Sequence, residues 1–193
     1  MTCRTLSRRN ISRASEYGIA YSNSARIGPQ GKFEEGIAAA EAVITENPGE
    51  PWAYKEVGFS ALYLGNPLGA LDWFAKADRL GPRDPARWTW LDGQGHALIL
   101  LGRDEEAVRS LRAALDSNPN TVGTYALLAS AYALAGHVDK SRLALAQYQK
   151  YYPDVTVDSF RSLAPVSLKL TTEKYRRQFE RLKDGLRKAG MPG

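Results

Sequence analysis

Asp92 and His96 stand four residues apart, a spacing that puts a carboxyl and an imidazole on one face of any helix containing both. Such a pair can orient an imidazole for proton transfer or supply two corners of a metal site. Two groups fall short of a site, because a protein-held metal takes at least three side-chain ligands. The only other histidine, His137, follows Gly136 directly and reads as a solvated turn residue. Cys3 is the single cysteine and lies in a polar N-terminal stretch, which excludes an intramolecular disulfide and a cysteine-based zinc site. The glycines from Gly65 to Gly69, and Gly93 with Gly95, resemble pieces of phosphate loops. They lack a preceding strand and the Lys-Ser or Lys-Thr ending, so they read as packing and turn glycines. No Ser, His and acid set falls in elements that would converge on one point. The expectation is a protein that is not an enzyme, with no metal and no cofactor.

The other chemistry on offer is electrostatic. Residues 161–193 carry nine Lys or Arg against Glu173, Glu180 and Asp184, and residues 1–15 carry Arg4, Arg8, Arg9 and Arg13 with no acid. The formal charge of +5 therefore hides an acidic middle between basic ends. An acidic body argues against a broad nucleic-acid surface and allows the tail to fold back on it or to face an anionic partner. Within the tail, Lys174, Arg176, Arg177, Arg181, Lys183, Arg187 and Lys188 surround an apolar stripe of Tyr175, Phe179, Leu182 and Leu186. A helix of this kind can lie on an anionic membrane or on nucleic acid, or it can be a helix with one solvated charged face. The solvated face is preferred, because Glu173 and Arg177 can pair locally.

The elements that carry these residues follow from a repeat. Pro48, Pro82, Pro119 and Pro153 are separated by 34, 37 and 34 residues, and each ends a helix-length apolar pattern. Seventeen residues before each proline stands a glycine, Gly31, Gly65, Gly102 and Gly136. A tight turn between two helices needs a residue able to take positive φ at that point. Five residues past each glycine comes a small residue (Gly36, Ala70, Ala107, Ser141), and four later comes Ala40, Phe74, Leu111 or Leu145. A small side chain followed one turn on by a larger one lets paired helices interlock. Asp84 and Pro85 read as an N-cap and first helical residue, which predicts a longer first helix in the third repeat. The helix over 172–189 ends at Gly190, and a short helix is predicted over 156–163.

Gly58, Gly65, Ala70, Phe74, Ala77 and Pro82 in one repeat resemble the tetratricopeptide family pattern in spacing and type. So do Leu128, Ala129, Tyr132, Gly136, Ser141, Leu145 and Pro153 in another, with Gly95, Gly102, Ala107, Leu111, Ala114 and Pro119 between them. The resemblance implies an all-α, right-handed superhelix of antiparallel helix pairs. Its expected organisation is a disordered basic leader over 1–16, a repeat array over 17–155, and C-terminal capping helices over 156–193. Within the array, 17–50 is degenerate, and 51–84, 88–121 and 122–155 are complete. LKDGLRKAGMP, from Leu182 to Pro192, and PRDPARW, from Pro82 to Trp88, narrow the likeness further. They resemble the C-terminal repeat segment of bacterial multidomain proteins with a class III cyclase or a transcription-regulator domain. That likeness would make the chain a silent regulatory arm or remnant, and whether Met1 is the true start stays open. Nothing before residue 50 is long enough to be a cyclase domain, so cyclase activity is not implied.

Members of the family offer a concave face lined by the first helix of each pair. On this chain that face carries Trp52, Lys55, Phe59 and Tyr63, then Asp92 and His96, then Ala126 and Ser130. An exposed aromatic cluster suits an interaction anchor, and Trp52 and Phe59 could equally pack under the degenerate first repeat. Lys55 stands where chaperone-tail-binding members grip a peptide carboxylate, but Phe59 replaces the asparagine expected four residues on, so that clamp is not expected. The function expected is therefore a protein-interaction module that takes a protein or peptide segment into its groove, with the oligomeric state open. No run approaches the roughly 18 to 20 apolar residues of a membrane span, and a reducing, cytoplasmic setting is expected.

Overall fold

The computed structural model describes residues 32–160 and 168–193. The leader, the first helix of the degenerate repeat, Gly31 and the end of the helix expected over 156–163 lie outside these residues. Eight α-helices are described: α1 (Phe33–Glu46), α2 (Pro51–Tyr63), α3 (Pro67–Leu80), α4 (Arg87–Leu100), α5 (Asp104–Ser117), α6 (Val122–Leu134), α7 (Val138–Gln149) and α8 (Glu173–Ala189). A 3-10 turn, Leu168–Leu170, precedes α8, and residues 156–160 make only a turn, closed by Phe160 N–H donating to Thr156 O. The architecture is all-α: α2 with α3, α4 with α5 and α6 with α7 form hairpins, and each hairpin packs on the next.

Local sequence sets the hairpin geometry. Gly65, Gly102 and Gly136 take φ of 80°, 76° and 84°, the left-handed conformation that closes each hairpin. Pro51 and Pro67 start α2 and α3 where a missing N–H costs no helical hydrogen bond. Asn66 caps α3 by accepting from Gly69 N–H at 3.1 Å.

The first helix of the third repeat is one residue longer than its counterparts, 14 residues against 13, but it does not start at Pro85 with Asp84 as its cap. Asp84 Oδ1 instead accepts from Ala86 N–H at 2.7 Å, a closed side-chain turn, and α4 begins at Arg87. Arg87 and Trp90 then reach back to Asp78 of α3, at 2.7 Å (Nε to Oδ1) and 3.1 Å (Nε1 to Oδ1). Burial alone would raise the Asp78 carboxyl, but the hydrogen bonds from Arg87 and Trp90 outweigh it and hold its pKa below the ordinary value.

The pairs interlock through glycine. Phe74 of α3 is fully buried between Gly58 of α2 and Gly93 of α4. A Cβ on Gly58 would stand 2.7 Å from the Phe74 ring, and one on Gly93 2.5 Å. Gly95 receives Leu111 of α5 in the same way. These contacts draw backbones together as ridge-into-groove packing requires. On α7, the last helix of the array, Arg142 is exposed where the equivalent Val108 of α5 is buried.

The interlock makes a stability prediction. Gly93→Ala gains up to about 1 kcal/mol of helix propensity but drives its methyl into Phe74, an overpacking that costs about 1–3 kcal/mol. Urea unfolding should therefore show a net loss, part of it recovered in the Gly93→Ala, Phe74→Leu double variant. A stabilised single variant would contradict the interlock.

Candidate functional site

The first helices α2, α4 and α6 line the inner face of the array, and α8 lies against that face. It packs mainly along α6 and reaches α4 and α7. Its N-terminus meets the end of α2, where Thr172 Oγ1 donates to Tyr63 O at 3.2 Å. The cap expected on the last repeat is thus a helix seated in the groove.

The apolar stripe sets the seat. Tyr175, Phe179, Leu182, Leu186 and Ala189 are all buried, at helical spacings that face one side. Tyr175 meets Tyr63 edge-on with ring centres 5.4 Å apart, and Phe179 lies 5.9 Å from the His96 ring. Gly185 is the closest approach, since a Cβ there would collide with Ser130 Oγ and stand 2.8 Å from Ser130 O.

Polar contacts fix the register. Ser130 Oγ donates to Leu182 O at 2.8 Å in a fully buried position. Tyr175 Oη and His96 Nε2 are 3.2 Å apart. Arg181 makes a two-pronged pair with Asp104, both bonds 2.7 Å, and donates to Ile99 O at 3.1 Å. The Ile99 carbonyl sits near the C-terminal end of α4, where the helix dipole favours a cation.

Of the eight residues expected on the concave face, Tyr63, Asp92, His96, Ala126 and Ser130 are 5%, 3%, 2%, 0% and 0% exposed. Tyr63, His96 and Ser130 touch α8 directly. Trp52, Lys55 and Phe59 remain partly exposed. Lys55 pairs with Glu56 at 2.9 Å, and Phe59 packs edge-on against Phe74 and stacks near Tyr63. Thr124, Tyr175, Arg181 and Gly185 belong to the same site and were not singled out for it from sequence. The one available signal was Gly185, a glycine inside the apolar stripe of a strongly amphipathic helix.

Asp92 and His96 do share a helix face, and that face is sealed. Burial pushes the Asp92 carboxyl up to about 7, while the hydrogen bond from Thr124 Oγ1, at 2.8 Å, works the other way. Burial alone pushes His96 down to about 4. The groups around them are Tyr63 on α2, Thr124 on α6 and Tyr175 on α8, and burial raises both phenols. No group of three or more metal-ligating side chains gathers among the described residues.

His137 sits in the hairpin turn as expected, its side chain 39% exposed, and it also bridges two repeats: its Nε2 lies 2.8 Å from Glu105 Oε1 and its ring meets Tyr132 edge-on. The basic face of α8 is largely paired. Lys183 meets Asp158 and Glu180, Arg187 meets Asp184 and Glu180, and Arg177 meets Glu173. No described helix is long and apolar enough to cross a membrane.

Stability should respond to pH through two opposed terms. The folded His96 resists a proton that the unfolded chain accepts, so stability falls as pH drops from about 6.5 to about 4. The folded Asp92 retains a proton that the unfolded chain releases, so stability falls as pH rises from about 4 to about 7. The two slopes offset each other in the wild type, and single variants separate them. Asp92→Asn should leave loss toward acid, and His96→Gln should leave loss toward neutral pH, each on the order of 3 kcal/mol across its window. Urea midpoints measured from pH 4 to pH 7 check both signs.

Residues 93–121 match the family profile of the tetratricopeptide repeat. No curated protein sequence matches the chain. Among solved structures, an O-GlcNAc transferase mutant from Thermobaculum terrenum superposes with a TM-score of 0.65 at 18% identity. That match covers 72% of this chain, which spans only 26% of the transferase. MamA from Desulfovibrio magneticus RS-1 gives 0.63 at 18% identity, covering 90% of this chain and 96% of MamA. YrrB, described as a TPR protein with an unusual peptide-binding site, gives 0.59 at 19% identity, covering 90% and 91%. The chain therefore has a tetratricopeptide-type fold, a superhelix of helix pairs with a repeat of that type at its centre.

Proposed function

We propose that this chain is a non-catalytic protein-interaction scaffold whose inner face takes a segment of another protein. The observation that carries the reading is α8 itself: the inner face buries an amphipathic helix through aromatic contacts and through Ser130 Oγ donating to Leu182 O. Helix-in-groove recognition uses this combination. The peptide-binding site named for YrrB, a structure of the same fold, supports it. Trp52, Lys55 and Phe59 are the partly exposed contacts at the end of the groove formed by α2, and Tyr63, Asp92, His96 and Ser130 form the floor beneath α8.

The regulatory-arm reading rests on the short runs near Pro82 and Leu182 alone, and none of the structures compared above carries it further. Binding of an anionic surface by α8 is disfavoured by the ion pairs that occupy most of its cations.

Site-specific photo-crosslinking tests the scaffold reading. A crosslinker at position 55 should capture a defined partner, and one at the exposed convex position 112 should not. Trp52→Ala should lower the yield about tenfold, the loss expected of an aromatic anchor, with helicity unchanged. Equal capture from both positions would sink the reading.

A further inference from the structure

We infer that α8 is a resident competitor for the groove, and that the partner which displaces it is itself an amphipathic helix with basic flanks. This rests on the scaffold reading of the same inner face.

Four observations support it. First, the groove already holds a helix, with an apolar pattern of Tyr175, Phe179, Leu182, Leu186 and Ala189. Its ligand chemistry is therefore an aromatic pair one turn apart followed by aliphatic residues. Second, the Gly185 position tolerates no side chain, because Ser130 fills that space from α6. A replacing helix needs glycine at that step. Third, the rim is acidic where α8 crosses it: Asp104 holds Arg181 and Asp158 holds Lys183. Charge complementarity selects a helix with cations at these two places.

The fourth observation concerns release. Two buried side-chain polar atoms have no hydrogen-bond partner among the described residues, Tyr63 Oη and Gln178 Oε1. The Tyr63 ring lies edge-on against Tyr175 of α8, and the Gln178 amide reaches Gly65 O, just past α2, only at 3.5 Å. Orphaned buried polar atoms weaken the contact that buries them. The seam between α8 and α2 is thus the weak edge of an otherwise close seat, and opening there exposes the groove from the end that carries Trp52, Lys55 and Phe59. A competing helix then binds with an affinity reduced by the fraction of chains in which α8 is undocked.

The test uses the full chain and a fluorescent synthetic peptide of residues 171–193 as the probe. Gly185→Val undocks α8 by collision with Ser130, so the variant should bind the peptide at least on the order of tenfold more tightly than the wild type. In the wild type, hydrogen exchange should show the α8 amides opening at lower denaturant than those of α4 and α6. Equal peptide binding by both proteins would overturn the competition. If the α8 amides exchange only with global unfolding, displacement is overturned while the scaffold reading stands. If Gly185→Val keeps protected α4 and α6 amides, loses α8 protection and still binds no peptide, the groove is not a helix acceptor and both readings fail. Should that variant not fold, the exchange measurement on the wild type decides.

Discussion

The structure depends on helices approaching closely where one of them has no side chain. Phe74 occupies the space left by Gly58 and Gly93, one glycine from its own pair and one from the next. That single ring ties two successive hairpins together, and Leu111 against Gly95 repeats the contact within the α4–α5 hairpin. Close packing at fixed points sets how each pair leans on its neighbour, and the accumulated lean gives the array an inner face. The groove is a consequence of these contacts.

The inner face is unusual in what it buries. Its floor carries Asp92, His96, Ser130 and Thr124, polar groups that burial penalises unless they find partners. Thr124 satisfies Asp92, Tyr175 meets His96, and the Leu182 carbonyl accepts from Ser130. Two of these three partners come from α8. The helix therefore completes the hydrogen bonding of the floor while its aromatic stripe removes apolar surface from water. A floor of this kind specifies register, because sliding α8 by one turn would break the polar matches and bring a side chain against Ser130.

Electrostatics follow the same plan. The acidic middle and the basic tail meet at Asp104 with Arg181 and at Asp158 with Lys183. Arg181 also satisfies a carbonyl near the end of α4, so one guanidinium serves an ion pair and a helix terminus together. The folded-back tail, one of two options left open by charge distribution, is the arrangement adopted.

The sequence by itself determined the architecture, because its signals are local. Prolines at near-constant intervals end helices, glycines seventeen residues earlier close hairpins, and small-then-large pairs interlock within one turn. Each acts on neighbours in the chain, so each was legible in order along it. It also marked Tyr175, Phe179, Leu182 and Leu186 as one face of a terminal helix. Only tertiary structure decided what that face covers. Tyr175 lies 79 residues from His96, Arg181 lies 77 from Asp104, and Ser130 lies 52 from Leu182. No spacing encodes such contacts, because they depend on how the pairs curve in sum. The same reason applies to His137, which is the partly exposed turn residue its position after Gly136 implied and which also finds Glu105 32 residues away on the adjoining repeat. Asp84 marks the reverse case, a local signal for a helix start that a tighter side-chain turn and the pull of Arg87 toward Asp78 overrode.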